Sequence, residues 1–185
     1  MVEEELLIKR CTLGEYKAQK ELYDKYSALL MGICIRYAQD RSSAEDILQE
    51  AFVKIFLCIK DYNALGSFEG WMKRIVINTA ITYYHKNIKH LNHFDIDEMY
   101  DIPDEDYKYN NSDFTHEELL NVINQLPQGY KMVFNLFAIE GFKHREIADM
   151  LNIDINTSKT QFLRARKFII KKLNILRNCG DNYYE

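Results

Sequence analysis

The chain has 185 residues, 47% of them apolar, and 24 basic against 28 acidic side chains give it a formal net charge of -4. That apolar content suffices for one domain or two small ones and argues against disorder throughout. The apolar run at 29–35 is interrupted by Gly32 and falls far short of the roughly 20 residues that a membrane span needs, and the opening MVEEELLIKR is acidic with no apolar signal core, so a cytoplasmic protein without membrane insertion is expected.

Upstream of residue 94 the apolar period is helical. Helices are expected at 15–25 and 28–37. In SSAEDILQEAFVKIFLCIK, Ala44, Ile47, Leu48, Ala51, Phe52, Ile55, Phe56 and Ile59 recur at steps of three and four and make one buried stripe. Ser42, with Glu45 three residues on, predicts a capping box at the start of this helix. Its other side carries Asp46, Gln49, Glu50 and Lys54, a mixed-charge face whose ordinary role is solvation. The next helix follows Gly66 and Ser67. Phe68, Trp71, Met72, Ile75, Ile77, Ala80, Ile81 and Tyr84 supply apolar area on more than one side, while Lys73, Arg74, Asn78, His85, Lys86 and Lys89 supply a basic, hydrogen-bonding face. Aromatics interleaved with cations suit unstacked bases and phosphates, yet core is the favoured reading for Trp71 and Tyr84.

Charge is uneven along the chain. Residues 1–94 balance at +1, residues 95–118 at -9 and residues 127–177 at +6. The acidic stretch DIDEMYDIPDEDYKYNNSD has no helical period and too little apolar surface to offset its ordering entropy, so it reads as a linker between two domains.

Beyond it, a short helix from Leu119 to Leu126 should stop at Pro127. From Gly129 to Glu140 a second stripe (Tyr130, Val133, Phe134, Phe137) should end at Gly141 in a left-handed cap. Then KHREIADMLNIDINTSKTQFLRARKF has the pattern of a helix-turn-helix. Ile147, Ala148 and Leu151 are the buried side of a short helix, Ile153 plugs the turn, Thr157 caps a longer helix, and Phe162, Ala165, Ile169 and Leu173 are its buried side. Small Ala148 allows a close helix crossing. Thr157, Lys159, Thr160, Gln161 and Arg164 fall where a recognition helix offers donors to base edges. Arg166, Lys167, Lys171 and Lys172 follow as phosphate contacts. If about 5 phosphates are neutralised, affinity should fall with a log-log salt slope near -4.5.

Two motifs in this order and separation, AEDILQEAFVKIF with GSFEGWMKRIVINTAI and then LPQGYKMVFNLFAIEGFKHREIADMLNIDINTSKTQFLRARK, resemble a bacterial sigma factor of the extracytoplasmic-function type over nearly the whole chain. The resemblance implies an all-α fold of two small helical domains, regions 2 and 4 of the sigma-70 family, at 1–93 and 116–178, joined by an acidic linker at 94–115. It implies that Asp46, Gln49 and Glu50 dock on RNA polymerase core. It places Trp71, Arg74, Asn78, His85 and Lys86 at melted -10 promoter DNA, with Asn78 near a flipped base and Trp71 largely structural. It assigns Thr157, Lys159, Thr160, Gln161, Arg164, Arg166 and Lys167 to double-stranded -35 DNA. An anti-sigma factor is a further implied partner; no cofactor and no catalytic residue are implied, the chemistry belonging to the polymerase. The chain departs from the family at Thr82 and His85, where Asp and Arg are frequent, at Asn152, where Gly is common, and at Gln161, where a basic residue is frequent.

The alternative is a two-domain helix-turn-helix regulator that does not join the polymerase. An enzyme is a third reading. Cys11, Cys34, Cys58 and Cys179 form no CxxC pair, and His85, His90, His93 and Asp95 are spaced so that they do not share one helical face, so no metal site is expected.

Overall fold

In the computed structural model of the protein, residues 2–91 and 114–180 are described, and among them all regular structure is helical. The chain divides into two compact units, Met1–Asn87 and Ile88–Glu185. The expected linker at 94–115 lies outside the described residues except for Phe114 and Thr115, as do His93, Asp95 and the side chain of His90.

The first unit holds three α-helices and most of a fourth: α1 (Val2–Thr12), α2 (Tyr16–Tyr37), α3 (Arg41–Cys58), which runs on into a short 3-10 turn at Ile59–Asp61, and α4 (Phe68–Leu91), whose last turn passes the unit's boundary. Where two helices were expected at 15–25 and 28–37 there is one, because Ser27 and Gly32 weaken helix propensity without removing a backbone donor, and tertiary packing overrides the cost. Leu22, Tyr26, Leu30, Ile33 and Tyr37 of α2 are buried, and the three-residue turn from Ala38 to Asp40 folds α3 back as an antiparallel partner. Ala44, Ile47, Leu48, Ala51, Phe52 and Ile55 line its inner side, as the period predicts. Burying each such large apolar side chain contributes about 1.5–3 kcal/mol. Phe68, Met72, Val76 and Ala80 add α4 to this core, and the hydroxyl of Tyr26 donates to Glu4 to tether α1.

The capping box at Ser42 does not form. Asp40 is the cap instead: its Oδ1 accepts from the Ser43 amide at 2.7 Å, and Glu45 turns outward to Arg41 at 3.0 Å. The Ser43 amide holds the Asp40 carboxyl below its usual range, so the cap is charged when it accepts.

The second unit contains α5 (His116–Asn124), α6 (Gln128–Phe134), α7 (His144–Leu151) and α8 (Ile155–Gly180). Thr115 and Glu118 make a complete capping box, so α5 begins three residues earlier than its apolar pattern. α6 does not run regularly to Glu140; it widens into a π turn at Asn135–Ile139 and ends at Gly141, whose φ of 79° is the expected left-handed conformation. Val122, Leu126 and Tyr130 meet Ala165, Ile169 and Leu173 of α8 in one cluster, so α8 clamps α5 and α6 four residues at a time. The turn between α7 and α8 is made by Asn152 at φ 52°, a left-handed residue that Asn adopts more easily than other non-glycine types. Thr157 is not the cap of α8. Asp154 is: its Oδ1 accepts from the Asn156 amide at 2.7 Å and its carbonyl from Ser158, leaving Thr157 in the first turn.

Candidate partner and nucleic-acid interfaces

On α3, Asp46 and Gln49 are exposed, about one turn apart. Glu50 beside them is half-buried. Its carboxylate takes Lys54 at 2.8 Å and Lys86 of α4 at 3.8 Å, and Lys54 also donates to Thr79 at 3.2 Å. The Lys54 hydrogen bond, then the positive charges of Lys54 and Lys86, hold Glu50 below its ordinary pKa against the opposing effect of burial. Thus one carboxylate joins the candidate partner face of α3 to the candidate DNA face of α4.

On α4, steps of four place Arg74, Asn78, Thr82 and Lys86 on one exposed stripe about three turns long. Thr82 spends its hydroxyl on the Asn78 carbonyl at 2.9 Å. His85 lies off this stripe, half-buried with its ring 5.7 Å from that of Tyr84. The two aromatic residues left open by sequence resolve differently. Tyr84 is only 9% exposed and belongs to the core. Trp71 is half-buried, stacked on Phe68 at 5.5 Å and 18° and packed against Tyr62 at 5.6 Å, so it wedges the start of α4. The preceding loop is tied across its base by the Tyr62 hydroxyl donating to the Gly66 carbonyl, with Ala64 at φ 57° and Leu65 89% exposed.

In the second unit, Thr157, Lys159 and Thr160 are exposed and Gln161 is half-buried along the first turns of α8. Arg166 is exposed and Lys167 half-buried further on. Arg164 is partly withdrawn: its Nη1 donates to the Tyr130 hydroxyl at 3.3 Å, so α6 orients a guanidinium that the sequence pattern assigns wholly to DNA. Lys172 rests over the Phe168 ring at 5.5 Å, which pulls its charge toward the helix. Two further candidates not singled out in the sequence are Asn156, an exposed amide one turn before Thr160 on the same side, and Arg145, exposed in the first turn of α7. Recognising Asp154 rather than Thr157 as the cap would have put Asn156 inside the helix.

His144 opens α7. Its ring lies flat on Phe137 at 4.3 Å and 14°, stands edge-on to Phe162 at 5.9 Å, and its Nδ1 is 3.0 Å from the hydroxyl of buried Ser158. Burial, and secondly the charge of Lys159, push its pKa down. On α6, Lys131 is 2% exposed, and burial lowers its pKa from 10.5 to about 8.

The family models described as Sigma-70 region 2 and Sigma-70, region 4 match residues 22–89 and 116–169, together about two thirds of the chain. The chain belongs to the sigma-70 family. The region 2 match begins inside α2 and runs through α4; the region 4 match runs from α5 into α8. The ECF RNA polymerase sigma-E factor of Haemophilus influenzae is 27% identical over 183 residues, spanning 94% of this chain and 96% of that protein. The RNA polymerase sigma-H factor of Pseudomonas aeruginosa is 25% identical over 184 residues, 94% and 95% of the two chains. Among solved structures, the sigma factor RpoE of Bartonella quintana, determined with the anti-sigma factor NepR, shares the fold at a TM-score of 0.50 and 17% identity, over 84% of this chain and 96% of that one. In sigma-70 family terms, the α3 face and α4 stripe lie in region 2 and the α8 face in region 4. No described helix is long and apolar enough to cross a membrane.

Proposed function

We propose that this protein is a sigma factor of the extracytoplasmic-function type that joins RNA polymerase core and directs promoter-specific initiation in the cytoplasm. The observation that carries the reading is the pairing of region 2 and region 4 on one chain, each with an exposed polar face of the right chemistry. Asp46 and Gln49 contact core, with Glu50 both touching it and holding α3 to α4. Arg74, Asn78 and Lys86 engage the -10 strand; Trp71 supports them from within the fold, and His85 stands at the edge of that surface. Trapping an unstacked base offsets the few kcal/mol of opening at each step, so melting needs no nucleotide hydrolysis by this subunit. Thr157, Lys159, Thr160 and Gln161 face -35 base edges, Arg164 does so from its Tyr130 support, and Arg166 and Lys167 hold phosphates. An anti-sigma factor covering these faces is the expected inhibitor, and residues 94–115 link the two functional halves.

Run-off transcription with purified bacterial core on a host-genome fragment library tests this. Discrete start sites should appear only with the protein and vanish with Asp46→Ala combined with Gln49→Ala. DNA binding without any start site, with cognate core present, would replace the proposal with a regulator that does not join polymerase.

A further inference from the structure

Among the polar groups of the helix-turn-helix, the Ser158 hydroxyl is fully buried at the base of the DNA-facing helix. Its own amide is already committed to the Asp154 carbonyl, and its hydroxyl meets Nδ1 of His144, fourteen residues earlier in sequence. The imidazole has little freedom to leave. Phe137 from the π turn covers one face, and Phe162, one turn beyond Ser158 on α8, closes an edge. The ring therefore touches α8 at two points on one side, Ser158 and Phe162, while its backbone starts α7. Two contacts one turn apart define both the height and the rotation of a helix.

We propose that His144 is a positioning residue for base recognition: through Ser158 it sets the rotation at which α8 presents its first-turn side chains to DNA. Thr157 and Lys159 flank Ser158 at about 100° on either side. A rotation of about 20° at the side-chain radius of about 5–6 Å moves a donor by roughly 2 Å, several times the spread of good hydrogen-bond lengths. Such a turn leaves phosphate attraction intact and spoils base readout, since attraction depends on the number of cations and readout on direction. The hydrogen bond and the stacking are separable. His144→Phe keeps a flat ring on Phe137 but leaves the Ser158 hydroxyl without its partner; His144→Asn keeps a polar atom near the Nδ1 position and loses the ring.

The inference rests on the assignment of α8 to -35 DNA, and the experiment separates the two. The full chain, assembled with purified bacterial RNA polymerase core, is given duplexes randomised over a stretch upstream of a pre-melted segment, and the enriched element is recovered. The readout for each variant is the ratio of affinity for that element to affinity for a scrambled duplex; loss of folded protein lowers both and cancels. His144→Phe and Ser158→Ala should each reduce the ratio about tenfold, the scale of one good base contact. The double variant should be no worse than either single one, because the two residues act as a pair. His144→Asn should retain most of the discrimination, and binding to the scrambled duplex should hold throughout. Unchanged ratios in the single variants, or effects that multiply in the double variant, overturn the role of His144 while leaving the -35 assignment standing. If the wild-type protein enriches no element, the assignment itself falls, and the inference with it.

Discussion

Leu173→Ala should split the protein's stability in two. Leu173 is 2% exposed and closes the cluster of Val122, Leu126, Tyr130, Ala165 and Ile169 that fastens α8 to α5 and α6. Truncation removes three carbons, worth about 2.4 kcal/mol at about 0.8 kcal/mol each, and incomplete collapse of the hole raises the cost to about 3–4 kcal/mol. For a unit of this size each kcal/mol moves the midpoint by about 4–8 °C, so its melting should drop by at least about 12 °C. The cluster contains no residue of the first unit, so the first unit's transition should not move. Scanning calorimetry of wild type and variant reads both transitions. At a temperature between the two midpoints the variant should lose binding to double-stranded DNA and keep its hold on polymerase core. A shift below about 4 °C, or equal shifts in both transitions, would refute the packing argument or the separateness of the two cores.

The capping assignment predicts that Asp40→Ala lowers the first unit's stability by about 1 kcal/mol while Ser42→Ala stays within about 0.5 kcal/mol; urea titration showing the reverse order would restore Ser42 as the cap. Lys131 is charged only with difficulty in the fold. The fall from 10.5 to about 8 corresponds to about 3 kcal/mol against the charged form. Between these values the unfolded chain holds the proton and the folded chain does not, so stability of the second unit should rise with pH from about 8 to about 10.5. Lys131→Met should raise stability at pH 7 and flatten that rise, and a loss of stability at pH 7 would show that its ammonium is worth more than its burial costs. On the acid side, His144 is kept neutral in the fold by burial and Lys159, so the unfolded chain takes its proton first. Stability should fall as pH drops below about 6.5; a thermal melting series should show this for wild type and much less for His144→Asn, and identical slopes would remove His144 as the cause.

Local patterns were readable from sequence wherever one element decides them. The buried stripe of α3, the left-handed Gly141 and the helix-turn-helix around Asn152 each follow from spacing and residue type alone. The misread points share a different cause. Ser42 and Asp40 both suit a helix cap, and only the backbone path into α3 selects Asp40. Thr157 lost its capping role to Asp154 in the same way. Arg164 meets Tyr130 across 34 residues and Glu50 meets Lys86 across 36, distances at which no periodicity speaks. Tyr84 and Trp71 carry the same composition signal, yet one lies in the core and the other half out of it, because a 24-residue helix turns its faces against different neighbours along its length.

The shared carboxylate of Glu50 has a thermodynamic consequence. A ligand that takes hold of it from the α3 side withdraws negative charge from Lys54 and Lys86 and leaves the α4 stripe more positive. Equilibrium linkage then works in both directions: if the ligand on α3 raises the affinity of α4 for an anion by some factor, that anion raises the affinity of α3 for the ligand by the same factor. Coupling of this kind needs no movement of the helices; the sharing of a single charge suffices.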